Sequence, residues 1–276
     1  MEPSGIITLT SDFGLGDSYA GALKGAILCV NPRAVLVDIN HNIPRGSIAD
    51  AAMAVLENYA FFPPGTVHLA VVDPGVGSRR RPIAAEGGGH FLVGPDNGVL
   101  WPVIDKLEAR AVHLTDPRYF RKQISTTFHG RDIFGPVAAW ISAGADISSM
   151  GPAIADPVRL ETEEPFVEGG RLHGRIIRAD VFGNLVSNLR RETVLKFIGH
   201  GQPHIRVGGL ELFHIHRTYS SVPEGTLLAL FGSSGLLEVA VNGGSAAQSL
   251  APDQPKDIEI TIDGPDMVGP RVDPRD

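Results

Sequence analysis

Short apolar runs alternate with longer stretches of helical periodicity through the first half of the chain. The runs are bounded by turn-forming residues, which is typical of buried strands, and cover residues 6–10, 34–39, 66–72 and 90–93. Helical patterns cover residues 18–30, 47–59 and 133–143, with Ser47 as the N-cap of the second. Strands alternating with helices predict an α/β domain, a Rossmann-like layer of largely parallel strands covered by helices, over residues 1–160.

The pattern changes near residue 160. Residues 156–165 are acidic and proline-flanked, and we expect a linker over residues 161–170. Short strands separated by turns then predict an all-β domain, a small barrel or a sandwich, over residues 171–263. Its strands are expected at residues 171–179, 204–207, 210–216, 227–231, 236–241 and 257–262. We expect residues 264–276, rich in Asp, Pro and Gly, to be a disordered tail.

Composition and charge narrow the class of protein. The 276 residues are 43% hydrophobic and 20% charged, as in soluble proteins with a sizeable core. A net charge of −7 argues against a nucleic-acid partner. The single cysteine excludes an intramolecular disulfide and a cysteine-based zinc cluster. No signal peptide or membrane span is expected, since an apolar span needs roughly 20 residues, so we expect a cytoplasmic protein.

Polar clusters follow the predicted strands of the first domain, at the edge where open α/β sheets bind ligands. The first strand ends in the segment Ser-Asp-Phe-Gly-Leu-Gly-Asp-Ser, which supplies Asp12 and Asp17. This segment is not the G-x-G-x-x-G dinucleotide fingerprint, and acids replace the phosphate cradle. Spacing alone leaves two interpretations open: ribose binding, or turn formation and helix capping.

The third strand ends in Asp73, and three consecutive arginines follow at residues 79–81. A strand that only had to fold would need neither the acid nor the guanidinium cluster. Later in the chain, His129 stands in a loop beside Gly130, just ahead of an apolar helix. A lone histidine in that position is more often structural, but this loop would allow the ring to meet Asp73 and an arginine.

Five residues of the second domain combine acid, aromatic, amide and hydroxyl groups. An aromatic face with an amide suits a purine base, and an acid suits an ammonium group, although ordinary β-turn chemistry accounts for each residue singly. The five are Asp180, Phe182, Asn184, Tyr219 and Ser233.

The order of motifs resembles that of the S-adenosylmethionine hydroxide adenosyltransferases, the water-using relatives of the fluorinases and chlorinases. The resemblance spans roughly residues 5 to 262 and rests on six motifs in one order: Ser-Asp-Phe-Gly, Val-Asp-Pro-Gly-Val-Gly-Ser, Gly-Pro-Asp-Asn-Gly, Thr-Phe-His-Gly-Arg-Asp, Asp-Val-Phe-Gly-Asn and Gly-Ser-Ser-Gly-Leu-Leu-Glu. It implies an α/β domain followed by a β-barrel. It also implies a homotrimer, with each active site between the first domain of one subunit and the second domain of its neighbour.

The resemblance assigns roles to the polar residues. It implies that Asp73, Arg80 and His129 act on water, and Arg80 matches through its seven-residue step from Asp73. Spacing alone leaves the two flanking arginines, Arg79 and Arg81, open. The implied substrate ligands are Asp12 for the ribose hydroxyls, Asp17, Asp180 and Ser233 for the methionine moiety, and Phe182, Asn184 and Tyr219 for the adenine.

Two positions separate the hydrolytic branch from the halogenating one. The halogenating relatives have a tyrosine where Asp73 stands, and the fluorinase has a serine where Gly130 stands. A carboxylate repels a halide and can accept a proton from water, which favours hydrolysis.

The implied reaction is hydrolysis of S-adenosyl-L-methionine to adenosine and L-methionine, without a metal or other cofactor. Water would attack ribose C5′ in line with the bond to sulfur. Halide-dependent adenosyl transfer is the alternative enzyme activity, and halogenated adenosine would indicate it. A non-catalytic sensor of adenosyl ligands is the alternative class, and binding without product would indicate it.

Overall fold

The computed structural model describes residues 2–250 and 257–262. The chain divides into two compact units, Met1–Glu161 and Thr162–Asp276, and each unit contains one sheet. The chain therefore has a mixed α/β fold in two parts. The predicted tail, residues 264–276, lies outside the described residues.

The N-terminal unit alternates strands and helices, as the hydrophobic pattern predicts. Its strands are β1 (Ile6–Ser11), β2 (Val35–Asn40), β3 (Val67–Val71), β4 (Pro82–Gly87), β5 (His90–Pro95), β6 (Arg110–His113) and β7 (Ala153–Ile154). Its helices are α1 (Tyr19–Val30), α2 (Ile48–Asn58), α3 (Trp101–Lys106) and α4 (Gly135–Ser142). Ser47 caps α2 as predicted, because its side chain accepts a hydrogen bond from the Asp50 amide.

The N-terminal sheet is mixed, which corrects the expectation of largely parallel strands. The strand order is β2-β1-β3-β5-β4-β6-β7. The first three neighbouring pairs are parallel and the last three are antiparallel. The change occurs at Gly88 and Gly89, whose φ angles of +54° and +89° form a two-residue turn between β4 and β5. Such a turn joins only antiparallel strands, and β4 was missing from the sequence prediction.

Helices cover both faces of this sheet. Leu69 and Val71 of β3 face a core that includes residues of α1 and α4, whereas Ala70 and Val72 face a core that includes residues of α2 and α3. Successive strand residues point to opposite faces, so a strand buried on both sides is apolar throughout. The layered arrangement leaves the strand ends as the places where polar side chains can reach solvent.

The C-terminal unit is richer in strands but is not purely β. Its strands are β8 (Phe166–Glu168), β9 (Arg171–Ala179), β10 (Leu185–Arg190), β11 (Pro203–Val207), β12 (Leu210–Leu212), β13 (Ile215–His216), β14 (Leu227–Phe231), β15 (Leu236–Val241) and β16 (Asp257–Ile262). Two helices, α5 (Arg191–Ile198) and α6 (Ala246–Ser249), accompany them. Strand β8 lies inside the predicted linker, where it pairs with β9.

The C-terminal sheet is open rather than a closed barrel. Its order is β12-β11-β16-β9-β10-β15-β14-β13, with β8 beside β9, and the pairings of the described strands leave β12 and β13 as its ends. All pairings are antiparallel except that of β13 with β14. The register of β10 shifts against both neighbours, and such irregularities bend a strand.

Candidate active site

Parallel strands bring two of the predicted acids to one edge of the N-terminal sheet. Strands β1 and β3 are parallel neighbours, and Ser11 at the end of β1 pairs in register with Val71 at the end of β3. Asp12 directly follows the end of β1, and Asp73 lies two residues after the end of β3. Both acids therefore lie at the carboxyl edge of the sheet, where ligands bind in this class of fold.

Two consecutive turns carry the chain from Asp73 back to the same edge. The Val76 amide donates to the Asp73 carbonyl, and the Ser78 amide donates to the Gly75 carbonyl, each at 3.1 Å. Gly77 has a φ of +77°, and a Cβ there would lie 2.5 Å from the carbonyl oxygen of Thr126. Only glycine fits this contact, which packs the turn against the loop that leads to His129.

The turns place Arg80 between Asp73 and His129. The Arg80 Nε donates to Asp73 Oδ1 at 2.9 Å, and its NH2 donates to Asp73 Oδ2 at 2.5 Å. The same NH2 lies 2.7 Å from His129 Nδ1. Both charged side chains are largely buried, 9% exposed for Arg80 and 6% for Asp73. The structure thus brings together the three side chains that the sequence singled out for water activation.

The hydrogen bond from Arg80 determines which nitrogen of His129 carries the proton. A guanidinium only donates, so Nδ1 accepts and the neutral ring keeps its proton on Nε2. Burial lowers the pKa of His129, and the Arg80 charge lowers it further, against smaller opposing effects of Asp73 and Asp132. His129 is therefore neutral at pH 7, with Nε2–H available as a donor.

The neighbours of Arg80 have different surroundings. Arg81 binds the buried carboxylate of Asp96 through Nε at 2.7 Å and the Asp156 carboxylate through NH1 at 2.9 Å. Arg79 is exposed. Geometry therefore separates three arginines that spacing left open: Arg80 contacts the candidate site, Arg81 joins two loops, and Arg79 faces solvent.

A fully buried acid that the sequence analysis missed shapes the loop before His129. Asp132 accepts hydrogen bonds from Arg131 Nε at 2.7 Å and from the Ser125 amide at 2.8 Å. Burial raises the pKa of Asp132, but these hydrogen bonds outweigh it, and the pKa lies below its ordinary value. The adjacent Arg–Asp pair in the Thr-Phe-His-Gly-Arg-Asp motif was the available indication.

The two acids of the first loop differ in their surroundings. Asp12 accepts the Gly46 amide on Oδ2 at 2.9 Å. Gly46 lies near Pro74, since a Cβ on Gly46 would be 3.9 Å from the Pro74 Cβ. Asp17 is exposed, and its carboxylate accepts the Ser18 amide at 2.6 Å. The structure thus places Asp12 near the turn that follows Asp73, and places Asp17 in the exposed turn before α1.

Four predicted residues of the C-terminal unit form one hydrogen-bond network. Asp180 Oδ1 accepts the Phe182 and Asn184 amides, each at 2.9 Å, and Oδ2 accepts Asn184 Nδ2 at 2.8 Å. Asn184 Nδ2 also approaches the Tyr219 hydroxyl at 3.4 Å. Asp180 therefore closes the turn that presents Phe182, which is 74% exposed.

The network includes an acid that the sequence analysis did not single out. The Tyr219 hydroxyl donates to Glu238 Oε2 at 3.3 Å, and Glu238 is only 7% exposed. A Cβ on Gly232 would lie 1.7 Å from Glu238 Oε1, so a larger residue there would displace the Glu238 carboxylate. Burial raises the pKa of Tyr219, and Glu238 and Asp180 raise it further.

The C-terminal unit contains a cavity that neither Ser233 nor Phe182 lines. A cavity of about 630 Å³ is lined by Arg191, His214, His216, Arg217 and Phe231 among others. None of the predicted substrate residues lines it. Ser233 is exposed in the β14–β15 turn.

Residues 2–250 and 257–262 contain neither a candidate metal site nor a candidate membrane span. In that part of the chain, no three His, Cys, Asp or Glu side chains are grouped so that they could hold a metal ion. No helix there is both long and apolar enough to cross a membrane.

Comparisons with known proteins identify the family to which both units belong. Residues 7–151 match the SAM hydroxide adenosyltransferase N-terminal domain, and residues 174–259 match the C-terminal domain of the same family. The chain belongs to the SAM hydroxide adenosyltransferase family.

Relatives and a solved structure cover nearly the whole chain. The (R)-S-adenosyl-L-methionine hydrolase of Salinispora arenicola is 38% identical over 259 residues, 92% of this chain and 97% of the relative. A fluorinase of Nocardia brasiliensis is 28% identical over 277 residues, 88% of this chain and 92% of the relative. A crystal structure of an uncharacterized conserved protein from Thermotoga maritima has a TM-score of 0.86 at 34% identity, covering 93% of this chain and 99% of that one.

Proposed function

We propose that this chain hydrolyses S-adenosyl-L-methionine to adenosine and L-methionine. The observation that carries the proposal is the single Arg80 nitrogen that binds both Asp73 and His129 at the carboxyl edge of the sheet. Family membership supports it, and so do four relatives named (R)-S-adenosyl-L-methionine hydrolase at 34–39% identity.

The names of these relatives also suggest which epimer at sulfur is the substrate. Each name specifies the (R) form of the sulfonium. We assign the same epimer to this chain. Discrimination would require the site to contact the methyl group or the methionine chain, because the two epimers share one adenosine.

The difficult part of this reaction is the activation of the nucleophile, not the departure of the leaving group. The sulfonium sulfur leaves C5′ as a neutral thioether, so the leaving group needs no proton. Bulk water has a pKa of about 15.7 and is a poor nucleophile. Catalysis must therefore position one water in line with the C5′–S bond and accept its proton, and acid–base help of this kind contributes about 10² to 10⁴ in rate.

The hydrogen bonds suggest how the three side chains divide this work. His129 Nδ1 is occupied by Arg80, so Nε2–H donates to the water oxygen and holds it in place. Asp73 Oδ1 accepts one bond from Arg80, at 2.9 Å, and can also accept a proton from the water. Arg80 keeps both groups in register, and its charge stabilises developing hydroxide character.

The packing around Gly130 supports water rather than a halide as nucleophile. Gly130 is buried, and a Cβ there would lie 3.1 Å from Val71 Cγ1 and 3.2 Å from Phe13 Cζ. A serine, as in the fluorinase, would force these neighbours apart. The Asp73 carboxylate would in addition repel a halide.

The subunit arrangement follows from the same proposal. The proposed water-activating residues belong to the N-terminal unit, Met1–Glu161. Most of the proposed adenosyl ligands, Asp180, Phe182, Asn184, Tyr219 and Ser233, belong to the C-terminal unit. We propose a cytoplasmic homotrimer in which the C-terminal unit of one subunit completes the site of its neighbour, with Asp12 on the ribose and Asp17 near the methionine.

The test is chromatographic. The purified protein is incubated with each epimer of S-adenosylmethionine, with and without chloride, beside Asp73→Ala, His129→Ala and the control Arg79→Ala. Adenosine and methionine from the (R) epimer, with losses of tenfold or more in the first two variants only, support the proposal. Halogenated adenosine would instead indicate the halogenase activity, and binding without product would indicate a sensor.

A further inference from the structure

A second chain of polar side chains lies next to the candidate site, and the proposed reaction does not use it. Ser11 Oγ and His41 Nδ1 are 2.6 Å apart, and His41 Nε2 and Asp38 Oδ1 are 3.1 Å apart. Lys24 Nζ donates to the other Asp38 oxygen at 2.6 Å. Ser11 and His41 are almost fully buried, 1% and 3% exposed, while Asp38 is exposed.

Each donor and acceptor in this chain has one consistent direction. Burial raises the pKa of Asp38, but the hydrogen bonds from Lys24 and His41 outweigh it and leave the pKa below its ordinary value. The ionised carboxylate only accepts, so His41 Nε2 carries the proton. In the tautomer with its proton on Nε2 alone, His41 Nδ1 accepts a hydrogen bond from the Ser11 hydroxyl.

The order Ser, His, Asp also describes the nucleophilic triad of hydrolases, but the geometry here differs. In that triad the serine faces Nε2 and the aspartate faces Nδ1, which is the reverse of the arrangement at His41. Ser11 is also only 1% exposed. Ser11 therefore cannot attack a substrate, and the chain of hydrogen bonds must serve the residues that it holds.

The residues held are those of the loop that carries Asp12. The Gly14 amide donates to the His41 carbonyl at 2.7 Å, and the Gly46 amide donates to Asp12 Oδ2 at 2.9 Å. These contacts join the loop after β1 to the loop after β2. Asp12 Oδ1 has no partner among the described residues, which leaves it available to a ligand.

We propose that His41 is a positioning residue for Asp12, and through it for the ribose of the substrate. The inference rests on the proposed function, since it takes Asp12 as the ribose ligand. His41 binds Asp38, the partner of Lys24, through Nε2 and orients the Ser11 hydroxyl through Nδ1. These hydrogen bonds hold the backbone before Asp12 in one conformation.

Two substitutions at His41 separate positioning from simple packing. In His41→Asn, the side-chain oxygen lies near the position of Nδ1 and can still accept from Ser11. In His41→Gln, the side-chain amide lies near the position of Nε2 and can still donate to Asp38, but the acceptor for Ser11 is lost. Ser11→Ala removes the same hydrogen bond from the other side.

The experiment measures kcat and KM for the (R) epimer, and calorimetric affinities for adenosine and for methionine, in the full-length variants. His41→Gln and Ser11→Ala should weaken adenosine binding and raise KM about fivefold to tenfold, the worth of one buried hydrogen bond. Their kcat should stay within about twofold. His41→Asn should resemble the wild type, and methionine affinity should be unchanged throughout.

Several outcomes would overturn the inference. If His41→Asn and His41→Gln lose adenosine affinity equally, His41 acts only through packing. The same conclusion follows if methionine affinity falls as much as adenosine affinity. If His41→Gln does not fold, Ser11→Ala decides alone. The adenosine measurements need no turnover, so an inactive wild type with the expected binding pattern would contradict the proposed hydrolysis but support the positioning role.

Discussion

Two aspartates, one in each unit, stand at the start of tight turns but have different partners. Asp73 binds the guanidinium of Arg80, with contacts of 2.5 and 2.9 Å to its two oxygens. Asp180 accepts hydrogen bonds of 2.8 to 2.9 Å from the backbone of Phe182 and from the backbone and side chain of Asn184. The first carboxylate binds a charged guanidinium, whereas the hydrogen bonds that the second accepts from described residues come from neutral amides.

This difference teaches what each acid can contribute. Arg80 compensates the Asp73 charge and connects it to His129, so Asp73 is suited to hold a water and accept its proton. The amides that bind Asp180 carry no counter-charge, which is consistent with its proposed role of binding the ammonium group of the substrate. One residue type thus supports two roles, because the partner determines where the charge acts.

The largest expected effect is on kcat in Asp73→Asn. The amide keeps the shape of the side chain but removes the proton acceptor and points an N–H group toward a donor-only guanidinium. We expect kcat to fall by about 10² to 10⁴, measured by adenosine release at saturating substrate.

Adenosine affinity is the control for this variant, because Asp73 is not a proposed adenosine ligand. If Asp73→Asn kept more than half of the wild-type kcat, Asp73 would not be the proton acceptor. The proposed difference in role between Asp73 and Asp180 would then be wrong.

The second effect is the pH dependence of activity. Because burial and Arg80 lower the pKa of His129 below its ordinary value of 6.5, the ring stays neutral as the pH falls through 6.5 and is protonated only at lower pH. Protonation puts N–H on Nδ1 against Arg80. We expect kcat/KM to be level above pH 6.5 and to fall, by up to about tenfold per pH unit, below the lowered pKa.

Acid also acts on the fold, which requires a control. Burial, with a smaller effect of His90, lowers the pKa of His68 to about 3, so the unfolded chain binds a proton at higher pH than the folded chain does. Stability is then lost as the pH falls from 6.5 toward 3, by about 2 kcal/mol between pH 6.5 and 5. In denaturant unfolding, His68→Asn should lose less stability than the wild type as the pH falls. If the acid-side decrease in kcat/KM is the same in His68→Asn as in the wild type, that decrease arises from the active site and not from unfolding.

A smaller effect is expected for Asp180→Asn. The remaining side-chain oxygen still accepts the two backbone amides that close the turn, so the turn persists while the charge is lost. We expect KM to rise about fivefold to tenfold with kcat within about twofold, as for one charge-assisted contact. Equal binding of adenosine to both proteins, with weaker binding of methionine to the variant, would locate the loss at the ammonium group.

The smallest effects on catalysis are expected at the arginines beside Arg80. Arg79→Ala should leave kcat, KM and stability unchanged, because the side chain is exposed. Arg81→Ala should lower stability by about 1–3 kcal/mol, since it leaves the buried Asp96 unpaired, with kcat within about threefold. A hundredfold loss of kcat in Arg81→Ala would mean that geometry had selected the wrong arginine.

Much of the site could be inferred because its residues lie in local sequence contexts of a recognisable kind. Asp73 follows a buried strand, and His129 precedes an apolar helix beside a glycine. Asp132, Glu238 and His41 were missed. The adjacent Arg–Asp pair indicated Asp132, but an acid within a strand, such as Glu238, and a histidine after a strand, such as His41, have no distinctive local pattern. Asp132 has an adjacent partner in Arg131 and a second in Ser125, 7 residues away. Ser11 and His41 are 30 residues apart, and Tyr219 and Glu238 are 19 apart.

The sequence by itself determined the alternation of strands and helices, the change near residue 160 from a mixed helix–strand pattern to short strands, and the acids and glycines at strand ends. These follow from short-range physics: hydrophobic periodicity, and the backbone conformations open to glycine. Only the tertiary structure decided that the first sheet is half antiparallel, that Arg80 rather than Arg79 or Arg81 meets Asp73, and that His41 holds Ser11. Hydrogen bonds between distant segments carry no local pattern, because the fold alone brings their partners together.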